Sequence, residues 1–185
     1  SLDEALVHGG IANKVKVNLI RIESDYLKNS EIKKKLKNVS GLLIPGGFGK
    51  RGTEGKISAI KYARENKIPF LGICFGMQMA IIEFARNKLY IKKAGSSELD
   101  KKCYPVIGLI NEWDKNGKII KGTDKNLGGT MRLGLYEAKL RNNSAINKVY
   151  KSRSIKERHR HRYEVNNNLK DQFENKGLIF SGMSP

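Results

Sequence analysis

The chain has 185 residues, 39% of them hydrophobic, and a formal net charge of +18 from 36 basic and 18 acidic side chains. That length suits one domain with a sizeable core. No apolar run reaches the roughly 18 residues that cross a bilayer, so no membrane segment is expected. Two cysteines, Cys74 and Cys103, make no disulfide framework and fit a reducing, cytoplasmic compartment. The basic residues are scattered rather than gathered into an aromatic-interleaved stripe, so no nucleic-acid partner is expected; anionic substrates or an acidic partner surface stay open.

Residues 2–8 read as the start of an amphipathic helix, ended by Gly9-Gly10, and not as a leader. Residues 15–22 alternate apolar and polar and predict a strand. Residues 32–36 suit a short charged helix. Residues 41–45 form a short, wholly apolar run, as in a buried parallel strand. It ends in Pro45-Gly46-Gly47-Phe48-Gly49, a strong turn signal. Residues 54–66 predict a helix, 68–73 a strand, and the segment to about Lys88 a second helix. This alternation argues for an α/β fold with a mainly parallel central sheet flanked by helices.

The second half differs. Residues 106–113 read as a strand, and Asn116-Gly117 marks a hairpin turn before a strand at 118–120. A glycine-bounded loop spans 128–134. Strands are expected at 135–140 and 177–180, with short helices at 146–150 and 169–175. Between them lies Glu157-Arg158-His159-Arg160-His161-Arg162-Tyr163-Glu164. This half predicts an antiparallel edge beside the parallel core.

The chemistry centres on residues 69–80. An apolar strand runs into a tight turn between Gly72 and Gly76, with Cys74 at its tip, and an apolar helix follows. Gly-x-Cys-x-Gly is the thiol form of the nucleophile elbow, a sharp strand-to-helix turn that lifts the nucleophile out of the sheet. Glycines clear the space around it. The helix N-terminus supplies free N–H groups and a partial positive charge, the setting of reactive cysteines. A lone cysteine in an apolar run is most often a small buried hydrophobe. The two flanking glycines at a strand-helix junction reverse that reading.

With Gln78, this element resembles the class I, triad-type glutamine amidotransferases, whose nucleophile lies in Gly-x-Cys-x-Gly-x-Gln. Pro45-Gly46-Gly47-Phe48-Gly49 matches the family loop that gives an oxyanion N–H, with Gly47 in that place and the amide of Phe75 as second donor. Attack on an amide carbonyl creates an oxyanion, and losing one such donor typically costs about 10²–10³ in rate. The run at 157–166, together with the 128–134 loop, narrows the resemblance to one branch, in which this domain feeds ammonia to an ATP-dependent synthetase that aminates UTP. His159 and His161 alternate along one strand without a Cys or acidic ligand set, so no metal site is expected.

The resemblance implies a flavodoxin-like class I amidotransferase fold and roles by position. Cys74 would form a γ-glutamyl thioester. Gly47, Phe75, Gly76, Met77 and Gln78 would hold the glutamine amide and its carbonyl oxygen. Glu98 would accept the α-ammonium and Arg162 the α-carboxylate, opposite charges for the two ends of a zwitterion; taken alone, Glu98 would read as a solvated loop residue. Thr130 and Arg132 would act in an allosteric loop. No cofactor is implied in this domain; ATP, Mg and GTP are expected for the parent enzyme. The implied partners are L-glutamine, a synthetase domain of the same chain, and other copies in a homo-oligomer, a tetramer.

Three departures accompany the match. Phe75 stands where the family usually has Leu, and Gly95-Ser96-Ser97-Glu98-Leu99 replaces Asn-Ser-Thr-Glu-Phe. The family's triad is completed by a late His-Pro-Glu-Phe element, absent from these 185 residues, and the first core strand is also absent. The expectation is therefore a single amidotransferase domain over 1–185, cut short at both ends and inactive alone. The competing readings are an amidotransferase-like domain that only binds or regulates, and a basic nucleic-acid-binding domain.

Overall fold

A computed structural model describes residues 1–25, 27, 29–109, 112–115, 118–121 and 131–185. The first half runs α1 (Leu2–Ala12), α2 (Asn29–Leu36), β1 (Leu42–Ile44), α3 (Thr53–Glu65), β2 (Phe70–Gly72) and α4 (Phe75–Lys88). The second runs β3 (Ala94–Ser96), β4 (Tyr104–Leu109), β5 (Glu112–Lys115), β6 (Lys118–Lys121), β7 (Arg132–Leu140), α5 (Ala145–Tyr150), β8 (Ser154–His161), β9 (Tyr163–Val165), α6 (Lys170–Asn175) and β10 (Gly182–Met183). A single 3-10 turn, Asn167–Leu169, leads into α6.

The mixed α/β expectation holds. β1 pairs with β2 and β3 with β4 in parallel, whereas β4–β9, β5–β6, β7–β8 and β7–β10 are antiparallel. The change from parallel to antiparallel follows the change in sequence pattern, from helix-spaced apolar runs to strict alternation. β7 shows that alternation plainly: Leu133, Leu135, Glu137 and Lys139 are exposed, while Arg132, Gly134, Tyr136 and Ala138 are half-buried behind them.

The core gathers on α4. Met79, Ile82 and Ala85 have almost no exposure and pack in one cluster with Ile57 and Ile60 of α3, Val106 and Ile107 of β4, and Phe173 of α6. Burial of each large apolar side chain there contributes about 1.5–3 kcal/mol. One charge is buried among them. Glu83 is 1% exposed, and the Arg64 guanidinium donates to both its carboxylate oxygens, at 2.8–3.1 Å. That fork satisfies the carboxylate where water cannot, and the Glu83 hydrogen bond shifts Arg64 still further toward its charged form.

Two expected strands are corrected. Residues 15–22 form no strand, and residues 177–180 form none either. Alternation sets which side chains share a face, but a ladder needs a neighbouring edge, and no described residue pairs with 15–22. In the later segment Phe180 turns into the core, its ring 6.1 Å from that of Phe173, and its N–H donates to Glu174 Oε1 at 3.3 Å. Pairing starts only at Gly182, opposite Leu140. Helix α1 also runs through Gly9-Gly10 to Ala12. The Asn116-Gly117 turn, although its flanking strands pair, and Gly128, Gly129 and Thr130 of the loop lie outside the described residues.

Candidate active site

The parallel pairing of β1 and β2 places Ile44 opposite Gly72. Both strands therefore end together, one feeding the loop 45–49 and the other feeding Cys74. The Ile73 N–H donates to the Ile44 carbonyl at 3.0 Å and locks the two exits side by side. Helix α4 then begins directly over β1. A methyl group on Gly76 would lie 2.1 Å from the Ile44 carbonyl oxygen, so only glycine allows this approach. The same addition at Gly72 would lie 2.6 Å from the Met77 nitrogen.

Between these glycines Cys74 takes φ 52°, ψ −104°, and it is exposed. The sulfur is thus carried on a turn and not packed into the interior. Gly76 N–H donates to Ile73 O at 2.9 Å and Gln78 N–H to Cys74 O at 3.1 Å. Phe75 is the first residue of α4, so its N–H has no partner within the helix. The diglycine bend sits alongside. A methyl on Gly46 would be 3.8 Å from Cys74 Cβ, and one on Gly47 would be 3.8 Å from a Phe75 ring carbon. The Phe75 ring itself is 3% exposed, so the larger residue at this position is absorbed by the core.

Glu98 follows β3 and is half-buried. Its Oε1 accepts the Gly49 N–H at 3.5 Å, which places the carboxylate on the same glycine-rich loop. Arg162 lies in the bend between β8 and β9 and is half-buried. Gln78 is 5% exposed. Its Nε2 donates to the backbone carbonyl of Tyr163 at 2.9 Å, so its amide is tied to the residue after Arg162. Met77, three residues after Cys74, remains 41% exposed.

Arg132 heads β7 and pairs with Glu164 at 2.5 Å, its guanidinium 5.3 Å above the Tyr136 ring. Glu164 also bonds His161 Nε2 at 2.8 Å. Burial acts to raise the Glu164 carboxyl, but the His161 bond and the Arg132 charge outweigh it and hold it below the ordinary value of 4.5. His159 lies between Tyr136, which it meets edge-on, and His161, which it meets tilted, at 5.6 and 5.1 Å between centroids. Burial, His161 and Arg132 lower it from 6.5. The two histidines of the basic run are thus engaged with one another, and His161 with Glu164. Among the described residues no histidine bonds Cys74, and none gathers with Cys, Asp or Glu into a metal-binding group.

Sequence reasoning placed Cys74, Gly47 and Phe75 together, and the structure does so too. It missed Gly46, which faces Cys74, and Glu164, which joins Arg132 to His161. The diglycine pair and the acid three residues after His161 were the available signals. Cys103 lies elsewhere, lining a cavity of about 410 Å³ with Ser96, Arg86 and Glu54. Burial, with Asp100 nearby, pushes its thiol up.

Comparison with known proteins agrees with this geometry. The family model described as Glutamine amidotransferase class-I matches residues 1–185. CTP synthase of Pelagibacter ubique is 77% identical over 185 residues, and that of Zymomonas mobilis 55% over 188; these matches cover 100% of this chain but 34% and 35% of those proteins. The chain thus spans about a third of the length of these curated relatives. Among solved structures, the glutaminase domain of Trypanosoma brucei CTPS with bound acivicin superposes with a TM-score of 0.86 at 32% identity, covering all of this chain and 68% of that one. The chain belongs to the class-I glutamine amidotransferase family.

Proposed function

We propose that this chain is the glutamine-hydrolysing unit of a CTP synthase, and that Cys74 is its nucleophile. The observation that carries the reading is the exposed Cys74 on its glycine-cleared turn, with Gly46 and Gly47 alongside. The thiolate attacks the γ-carboxamide carbon of L-glutamine, and the N–H groups of Gly47 and Phe75 receive the charge that develops on oxygen. The C–N bond breaks, ammonia leaves with an added proton, and water later releases glutamate from the thioester. Glu98 and Arg162 fix the ammonium and carboxylate ends of the substrate, with Gly76, Met77 and Gln78 completing the pocket wall.

Departing ammonia needs a proton donor, and none of the described histidines bonds Cys74. ATP, Mg and GTP act on the parent enzyme, the first two in a synthetase domain that passes ammonia to UTP; Thr130 and Arg132 belong to the GTP-responsive loop. The parent works in the cytoplasm as a homo-oligomer.

The test uses acivicin, which is bound in the trypanosomal domain. In the full-length protein it labels Cys74 and spares Cys103, and Cys74→Ala cuts ammonia release from glutamine by about a thousandfold or more. Residues 1–185 alone release far less ammonia than the full-length protein. Equal rates refute the low activity of this stretch by itself. Labelling at Cys103 instead, with turnover surviving Cys74→Ala, refutes the nucleophile.

A further inference from the structure

The Phe75 ring sits on the residue whose N–H is one of the two proposed oxyanion donors, and it is 3% exposed. It belongs to the core cluster with Ile44 and Ile57. It also borders the loop that supplies the other donor: a methyl on Gly47 would be 3.8 Å from ring carbon Cδ1. Over the ring stands a cation. The Lys56 ammonium lies 5.9 Å from its centroid, within the range of a cation–π contact. Lys56 is the fourth residue of α3, where a positive charge opposes the helix dipole. Its place is held by neutral partners: Nζ donates to Ser24 Oγ at 2.9 Å and to the Arg51 carbonyl at 3.4 Å. Among the described residues no carboxylate pairs with it, and Asp25, next to Ser24, pairs with Arg51 instead.

We infer that Lys56 is a positioning residue for the oxyanion site. Its ammonium fixes the tilt of the Phe75 ring beside Gly47, and the ring sets the span between the Gly47 and Phe75 N–H groups. This rests on the proposed glutaminase reading. Apolar contacts with Ile44 and Ile57 bury the ring but are non-directional. A cation over one face of the ring favours one orientation. Leucine, the residue the family usually carries at position 75, keeps the N–H but offers a cation no face. The pairing therefore exists only with the aromatic residue. Donors aimed at developing charge act in the transition state more than on bound substrate, so their misplacement falls on kcat.

The experiment measures ammonia release from glutamine by the full-length enzyme. Lys56→Met, similar in length but uncharged, lowers kcat about threefold to tenfold and leaves KM unchanged. In a Phe75→Leu background the same substitution costs nothing further. If Lys56→Met does not fold, Lys56→Gln, neutral but still able to bond Ser24, gives the same pair of results. A loss of the same size with Leu at position 75 overturns the inference, because the charge then acts through space or through the fold of α3. So does a loss that falls on KM, or no loss in the Phe75 enzyme. If wild type releases no ammonia from glutamine, it is the glutaminase reading that fails.

Discussion

At the elbow, backbone rests on backbone: Gly76 lets α4 start against the Ile44 carbonyl, and Gly46 and Gly47 close in on Cys74 and Phe75. Around β7–β9 nothing comparable occurs. There, on the backbone ladder that joins β7 to β8, the side chains Arg132, Glu164, His161, His159 and Tyr136 form a chain of ion pair, hydrogen bond and ring contacts. At Gly76 and Gly72 the first arrangement tolerates no added atom, because the main-chain atoms they meet have no rotamer to escape into. The second tolerates changes of shape but responds to charge and to proton concentration. The two regions are thus vulnerable to different insults.

The contrast breaks most sharply at Gly76. Gly76→Ala is expected to cost about 3 kcal/mol, the upper end of the usual overpacking range, read by denaturant unfolding, and to abolish acivicin labelling of Cys74. A fully stable, fully labelled variant would mean that the elbow is not held by close backbone contact. The ionic region gives a smaller effect. Glu164→Gln removes the charge shared by Arg132 and His161 and is expected to cost about 1.5 kcal/mol, the low end for bonds to charged groups. Alkylation of Cys74 by iodoacetamide should not change. A change there would show that the two regions are not independent.

The smallest effect is with pH. His159 sits below its ordinary value of 6.5, so under that pH the unfolded chain binds more protons than the folded one and stability falls. Glu164, held below 4.5, adds stability above that pH and loses it as pH falls through its folded value. The Tm should therefore drop between pH 7 and pH 5 and more steeply below pH 4.5. His159→Gln should flatten the first part only. A Tm that does not move above pH 5 would show that His159 is not held neutral by its neighbours.

This division also governs what could be read in advance. The elbow was legible because close backbone approach leaves glycines in the sequence, and Gly72 and Gly76 report themselves. The Gln78 bond to Tyr163 and the Gly49 bond to Glu98 were not, because partners 85 and 49 residues apart meet only after folding. The mixed architecture followed from apolar periodicity. The missing strands at 15–22 and 177–180 did not, since alternation records a face and not a neighbour.

The conformation of Cys74 has a further consequence. A residue with a side chain at φ 52°, ψ −104° sits where the chain alone would not settle, at a cost of roughly 1–3 kcal/mol. Glycine would occupy the same angles almost freely. On stability alone glycine is the favoured residue at position 74, and the sulfur is carried there against that preference.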